Sequence, residues 1–158
     1  MRLSKPKGGF SIIELVVIVM IIGILSLLSI PTIKAARDQT LVTAFTNDLH
    51  QFSGAIQTYA TALGAYPPDS PPGSADDQLK EYLPADFMNR RTPIGGLWDV
   101  DTAGAAGVTA AAGVGNLEKL DVELIVRIDF AVDDGNVVTG NFRLFPFGGG
   151  RPYWIIEE

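Results

Sequence analysis

From Phe10 to Ile33 the chain runs for 24 residues with a single charged side chain, Glu14. As a helix this run spans roughly 36 Å, enough to cross a hydrocarbon layer about 30 Å thick. It is longer than the apolar region of a cleavable secretory signal, and no A-x-A-like site follows it. Residues 1–9, MRLSKPKGG, carry Arg2, Lys5 and Lys7 and no acid, which predicts that the N-terminus stays in the cytoplasm. A plain signal anchor accounts for the length and the flanks but leaves Glu14 unexplained. A carboxylate in an apolar segment is costly unless it is neutralised or paired, so Glu14 is a candidate functional residue. Pro31 removes a backbone donor and clashes one turn back, which predicts a kink or local opening, with Ser26 and Ser29 at hand to bond freed carbonyls.

After Lys34 the pattern becomes periodic. Leu41, Phe45, Leu49, Phe52, Ile56, Tyr59 and Leu63 follow one another at spacings of four or three, which is helical. Gly64 and Pro67-Pro68 end the run. One helix over 10–63 is therefore expected, apolar all round in its first half and one-faced in its second. His50 lies beside the stripe and reads as a helix-surface histidine. A free-standing coiled coil over 41–63 is the weaker alternative, because three heptads are few and charges at the flanking positions are sparse.

Composition excludes several chemistries. There are no cysteines, so disulfides, Cys-based zinc sites and thiol catalysis are ruled out. The one histidine, His50, leaves little room for a Ser-His-Asp triad or for histidine metal sites. The net charge is −6, and without the +3 of residues 1–9 it is −9. Such an acidic body does not suit a phosphate backbone.

Beyond the helix, residues 65–75 are a Pro-rich connection. Ser74-Ala75-Asp76-Asp77 predicts a capping box opening a short helix to about Leu83, burying Leu79, Tyr82 and Leu83. Residues 84–101 read as an irregular loop anchored by Trp98, and 102–115 as a mobile low-complexity stretch. From Val122 to Val132 the even positions are all apolar and the odd positions include Glu123, Arg127 and Asp129, an alternation that predicts a strand with one buried face. Asp133-Asp134-Gly135-Asn136 then reads as a hairpin turn, Val137–Phe145 as its return strand, Gly148-Gly149-Gly150 as another turn and Tyr153–Ile156 as a third strand. The fold class expected is α+β, with three antiparallel strands covering the apolar face of 41–63. Neither glycine cluster has a nucleotide-loop register. Asp99/Asp101 and Asp133/Asp134 lack the spacing of a calcium loop and read as loop and turn residues.

The segment Gly9-Phe10-Ser11-Ile12-Ile13-Glu14-Leu15 resembles the class III signal of type IV prepilins and type II secretion pseudopilins. Counting Phe10 as the first mature residue, Glu14 is the fifth, Gly23 the fourteenth and Pro31 the twenty-second, the family's usual positions. Tyr66-Pro67 is similar to what many pseudopilins carry after the helix. The resemblance covers about residues 5–65. It implies a pilin fold and these divisions: a cleaved leader (1–9), a transmembrane and filament-core half-helix (10–33), an amphipathic half-helix (34–64) and a globular region (65–158). It implies cleavage by a prepilin peptidase between Gly9 and Phe10, N-methylation of Phe10, charge pairing of Glu14 with a neighbour's amine, and a helix kink or unwinding between Gly23 and Pro31. The implied function is a non-enzymatic subunit of a pilus-like filament, foremost a type II secretion pseudopilus; the alternative is a major or minor type IV pilin serving adhesion, motility or DNA uptake. Implied partners are further pilin-like subunits, an inner-membrane platform protein and an assembly ATPase, with no nucleic acid expected. The implied location is the bacterial inner membrane, single-pass, with the globular part periplasmic. No cofactor is expected: major pseudopilins often bind calcium near the C-terminus, but their motif is not matched residue by residue, so calcium stays open without a motif to place it.

Overall fold

A computed structural model describes residues 9–102, 104, 107–146 and 150–158, the side chains of 28, 29 and 31 excepted. Residues 1–8 of the expected leader, and Gly148 and Gly149 of the expected turn, lie outside the described residues. The chain divides into two units after Asp38. Among the described residues there are three helices and four strands. They are α1 (Ile12–Leu63), α2 (Asp77–Lys80), β1 (Leu97–Asp101), β2 (Ala110–Gly115), α3 (Val122–Val132), β3 (Phe142–Phe145) and β4 (Arg151–Glu157).

In the first unit α1 is apolar on every face from Ile12 to Ile33 apart from Glu14, and the described side chains of that stretch are exposed. The Ser26 hydroxyl donates to the Ile22 carbonyl at 2.8 Å, its own preceding turn rather than the carbonyl freed by Pro31. In the second unit the periodic half of α1 buries Val42, Phe45, Leu49, Phe52, Ala55, Ile56 and Tyr59. The ends of the expected stripe behave differently: Leu41 is only partly covered and Leu63 is exposed. Gly64 follows the helix at φ +74°, a left-handed termination that suits glycine.

The sheet is antiparallel throughout, in the order β1-β2-β4-β3. Its inner face puts Trp98, Val100, Ala112, Val114 and Phe142 against the α1 stripe. Trp98 is the centre of that layer, stacked on Phe45 with ring centroids 5.3 Å apart and on Phe87 at 5.5 Å, and tilted against Phe52. Arg90 secures the loop before β1 by its ion pair to Asp48 of α1 at 2.8 Å, with its guanidinium over the Phe87 ring.

Several expectations are corrected. Residues 122–132 form helix α3, not a strand. The Asp121 side chain accepts from the Leu124 N–H at 3.2 Å and so caps the first turn, and Ile125, Ile128 and Asp129 form the buried face while Val122, Val126 and Phe130 are exposed. The apolar residues are so many that they satisfy a period of two and a period of 3.6 together, and packing selects the helix. Asp133-Asp134-Gly135-Asn136 is accordingly the end of a helix rather than a hairpin, and the return strand shrinks to Phe142–Phe145. The expected loop 84–101 ends in strand β1, and the low-complexity stretch contains β2, an inner strand buried along its whole length. The short helix α2 is capped by Asp76, which accepts from the Gln78 N–H, and not by Ser74; Leu79 and Leu83 are buried but Tyr82 is exposed.

Candidate functional site

The residues singled out by sequence stand at the start of α1. Gly9 and Phe10 precede the helix and both are exposed. The Glu14 carboxylate accepts from the Ser11 N–H at 2.8 Å, closing the first turn where a helix favours negative charge. Gly23 has open space around its Cβ direction, and Pro31 lies within α1, whose helical backbone continues through it. By length and composition this helix is able to cross a membrane. An all-apolar, uncovered surface of this size requires an apolar surrounding, either lipid or other helices.

On the outer face of the sheet, sequence reasoning missed a polar device. Asp99, Gly113 and Tyr153 are cross-strand neighbours on β1, β2 and β4. The Tyr153 ring lies over Gly113, and its hydroxyl donates to the Asp99 carboxylate at 2.5 Å. Arg151 stands 3.6 Å from the same carboxylate. Asp99 and Asp101, expected as loop residues, are both buried. Burial pushes the Asp99 carboxyl up to about 6, despite the opposing Tyr153 hydrogen bond and the Arg151 charge; Asp69 and Asp101 add to the rise. Burial, together with the Asp99 carboxylate, also raises Tyr153. The open cleft above, about 220 Å³, is smaller than common small-molecule sites.

The raised Asp99 sets a pH dependence. Its folded value lies above the 3.8 of the free side chain, so the native state holds the proton more tightly than the unfolded chain. The stabilisation is complete below about pH 4 and is lost as pH rises through about 6, by roughly 3 kcal/mol at most. Asp99→Asn keeps an acceptor for Tyr153 and removes the titration. Urea denaturation of the detergent-solubilised chain at pH 4 and pH 7 should show a smaller loss in the variant than in the wild type. An unchanged loss would contradict this role.

A second acidic group is assembled by α3. The carboxylates of Asp129, Asp133 and Asp134 lie within 4.8 Å of one another. Asp129 is fully buried, and its carboxyl is pushed up to about 6 by burial and by Asp134 and Asp133. Read as a strand, this segment would have put Asp129 on a solvated face; the spacing of four and five residues brings the three acids together only once the segment is helical.

No family model and no curated protein matches the chain. Among solved structures it is similar to the major type IV pilin PilA1 from Clostridium difficile, at 14% sequence identity and a TM-score of 0.53, covering 77% of this chain and 97% of that one. The chain thus has a pilin fold, a long N-terminal helix whose C-terminal part packs on an antiparallel sheet.

Proposed function

We propose that the chain is a structural subunit of a pilus-like filament, matured by a prepilin peptidase that cuts between Gly9 and Phe10. The observation that carries this is the first half of α1, apolar and uncovered on every face, entered through Gly9-Phe10 and interrupted by one carboxylate, Glu14. In the membrane lipid surrounds that surface. In the filament the same surface packs against the helices of other copies. Glu14 then exchanges its bond to the Ser11 N–H for the new amine of a neighbouring Phe10. Such a buried pair forms only in the correct register and supplies specificity rather than net stability. The pseudopilus of a type II secretion system is the favoured filament, on the Tyr66-Pro67 junction and the absence of cysteine; the fold likeness to a type IV pilin supports the pilus as second reading. Deleting the gene and scoring secreted enzymes against surface pili separates the two.

Mass spectrometry of the N-terminal peptide from native membranes tests maturation. A chain starting at Phe10 with a methylated amine supports the reading, and one still starting at Met1 beside an active prepilin peptidase overturns it. Glu14→Ala should be cut and inserted like the wild type yet fall at least about tenfold in the sheared filament fraction, equivalent to about 1.4 kcal/mol or more of assembly free energy. Equal incorporation would rule out the pairing role of Glu14.

A further inference from the structure

We propose that the outer face of α3, the stripe Val122, Val126 and Phe130, is an interface between copies of this chain, and that it docks residues 30–37 of a neighbouring copy's α1. The inference rests on the filament reading above and names the surface by which the globular unit takes part in it. Among the described residues of the globular unit, Val122, Val126 and Phe130 and the nearby Val138 make up four of the six exposed large apolar side chains, and Phe130 is 79% exposed. A spacing of four puts the first three in line on one helix face, over a length of about 12 Å. The opposite face of α3 already supplies Ile125 and Ile128 to the core, so the outer stripe does not serve folding and marks a contact surface. The two edge strands of the sheet are engaged within the chain. Ser70 bridges β1 at Val100 and Arg91 bridges it at Leu97, and Leu144 of β3 donates its N–H to the Val137 carbonyl at 2.8 Å. Strand addition is therefore a poor route to another copy, and the face of α3 is the better one.

The rim of the stripe selects the occupant. Asp121, Glu123 and Asp134 are exposed around it, and Arg127 is the one basic residue of α3. Such a rim cannot follow apolar helices into a dry core, because its charges would lose their water. It fits a partner that is first apolar and then basic. α1 has that character where its apolar run ends: Ile30 and Ile33 are exposed, and Lys34 and Arg37 follow, both exposed and without an ion pair among the described residues. Lys34 and Arg37 are the only basic residues between Phe10 and Lys80. Ile30, Ile33 and Arg37 recur at three and four and so share a helix face about 10 Å long, which matches the stripe on α3. In the membrane the two basic side chains stand at the lipid headgroups beyond the apolar run. On assembly they exchange lipid phosphate for the carboxylates around a neighbour's α3, while Ile30 and Ile33 cover Val126 and Phe130.

The chain has no cysteine, so disulfide trapping in filaments sheared from cells is free of background. Phe130→Cys is combined in one chain with Ile30→Cys, Ile33→Cys or Lys34→Cys in turn, three pairs that allow for the register, since a disulfide forms only when the two Cα atoms come within about 7 Å. After oxidation at least one pair should give a ladder of covalent multimers on a denaturing gel, and each single variant should stay monomeric. Charge exchange is the second readout. Lys34→Glu with Arg37→Glu should lower the sheared filament fraction at least about tenfold, and adding Glu123→Lys with Asp134→Lys to the same chain should restore most of it. Both pairs of substitutions are exposed, so circular dichroism should remain that of the wild type. Wild-type filaments with no ladder from any pair, or no restoration by the second charge exchange, overturn this contact and leave the filament reading standing. Links confined to one chain, or to a different protein, overturn the second copy as occupant. Absence of wild-type filaments overturns the filament reading and this contact with it.

Discussion

Trp98→Ala should lower the stability of the globular unit by about 3–5 kcal/mol, the usual cost of deleting a large buried aromatic ring. The reason lies in its position. Trp98 is fully buried and meets three other rings, Phe45 and Phe52 from α1 and Phe87 from the loop before the sheet. Removing the indole detaches the sheet from the helix and the loop at once, and the rigid backbones of α1 and β1 keep the void from closing. Against a total stability of about 5–15 kcal/mol this is a large share, and the thermal midpoint should drop by roughly 10–20 °C. The indole N–H has no hydrogen-bond partner, so no hydrogen bond is lost with the ring. Trp98→Phe should therefore lose much less than Trp98→Ala, because it keeps most of the stacking. Thermal unfolding followed by near-ultraviolet circular dichroism measures both. A midpoint for Trp98→Ala within about 3 °C of the wild type would mean that the aromatic cluster is not what joins the layers.

The α1 stripe was legible because large apolar residues at an unambiguous period have few alternatives, and Trp98 because a single indole in a polar loop has few places to go but the core. Phe45, Leu49, Phe52 and Ile56 are all completely buried, as their spacing requires. The strand Tyr153–Ile156 was legible as well, lying within β4. The segment Val122–Val132 was not, because Val122, Val126 and Phe130 are apolar and exposed, filling in the alternation of a strand on what is a helix. The Asp121 cap was the available signal, a helix start that alternation alone does not weigh. β2 was hidden by the opposite fault. Ala110-Ala111-Ala112-Gly113-Val114-Gly115 has almost no side chain to carry a pattern, and small residues in series resemble a flexible link. In the folded protein their smallness is the point, since neighbouring strands lay large side chains across them.

The candidate sites divide in the same way. The N-terminal group is local in sequence, with Gly9, Phe10 and Glu14 inside six residues, so a linear reading finds it. The pair Asp99 and Tyr153 is 54 residues apart and meets only through the order β1-β2-β4. Asp129 was in view but assigned to the wrong face. Long-range pairing and helix phase are properties of the packed chain, and a motif-based reading is blind to both.

Gly113→Ala should destabilise the protein by about 2–3 kcal/mol, although the same exchange inside an ordinary strand stabilises by roughly 0.5–1 kcal/mol. Gly113 does not have the positive φ at which an added Cβ is strained, so backbone conformation does not require glycine there. What requires it is the Tyr153 ring. A Cβ on residue 113 would fall well inside van der Waals contact with Cδ1 of that ring, and the ring is buried with its hydroxyl held by Asp99. It has nowhere to move without breaking that bond and leaving Asp99 buried without its donor. The penalty therefore belongs to the pair and not to position 113. A double-mutant cycle shows this directly: in a Tyr153→Ala background the ring is gone, and Gly113→Ala should change sign and become neutral or stabilising. Urea denaturation of the four species measures the coupling. If Gly113→Ala costs the same with and without the Tyr153 ring, the glycine is retained for the backbone, and the small residues of β2 do not exist to let Tyr153 cross the strand to Asp99.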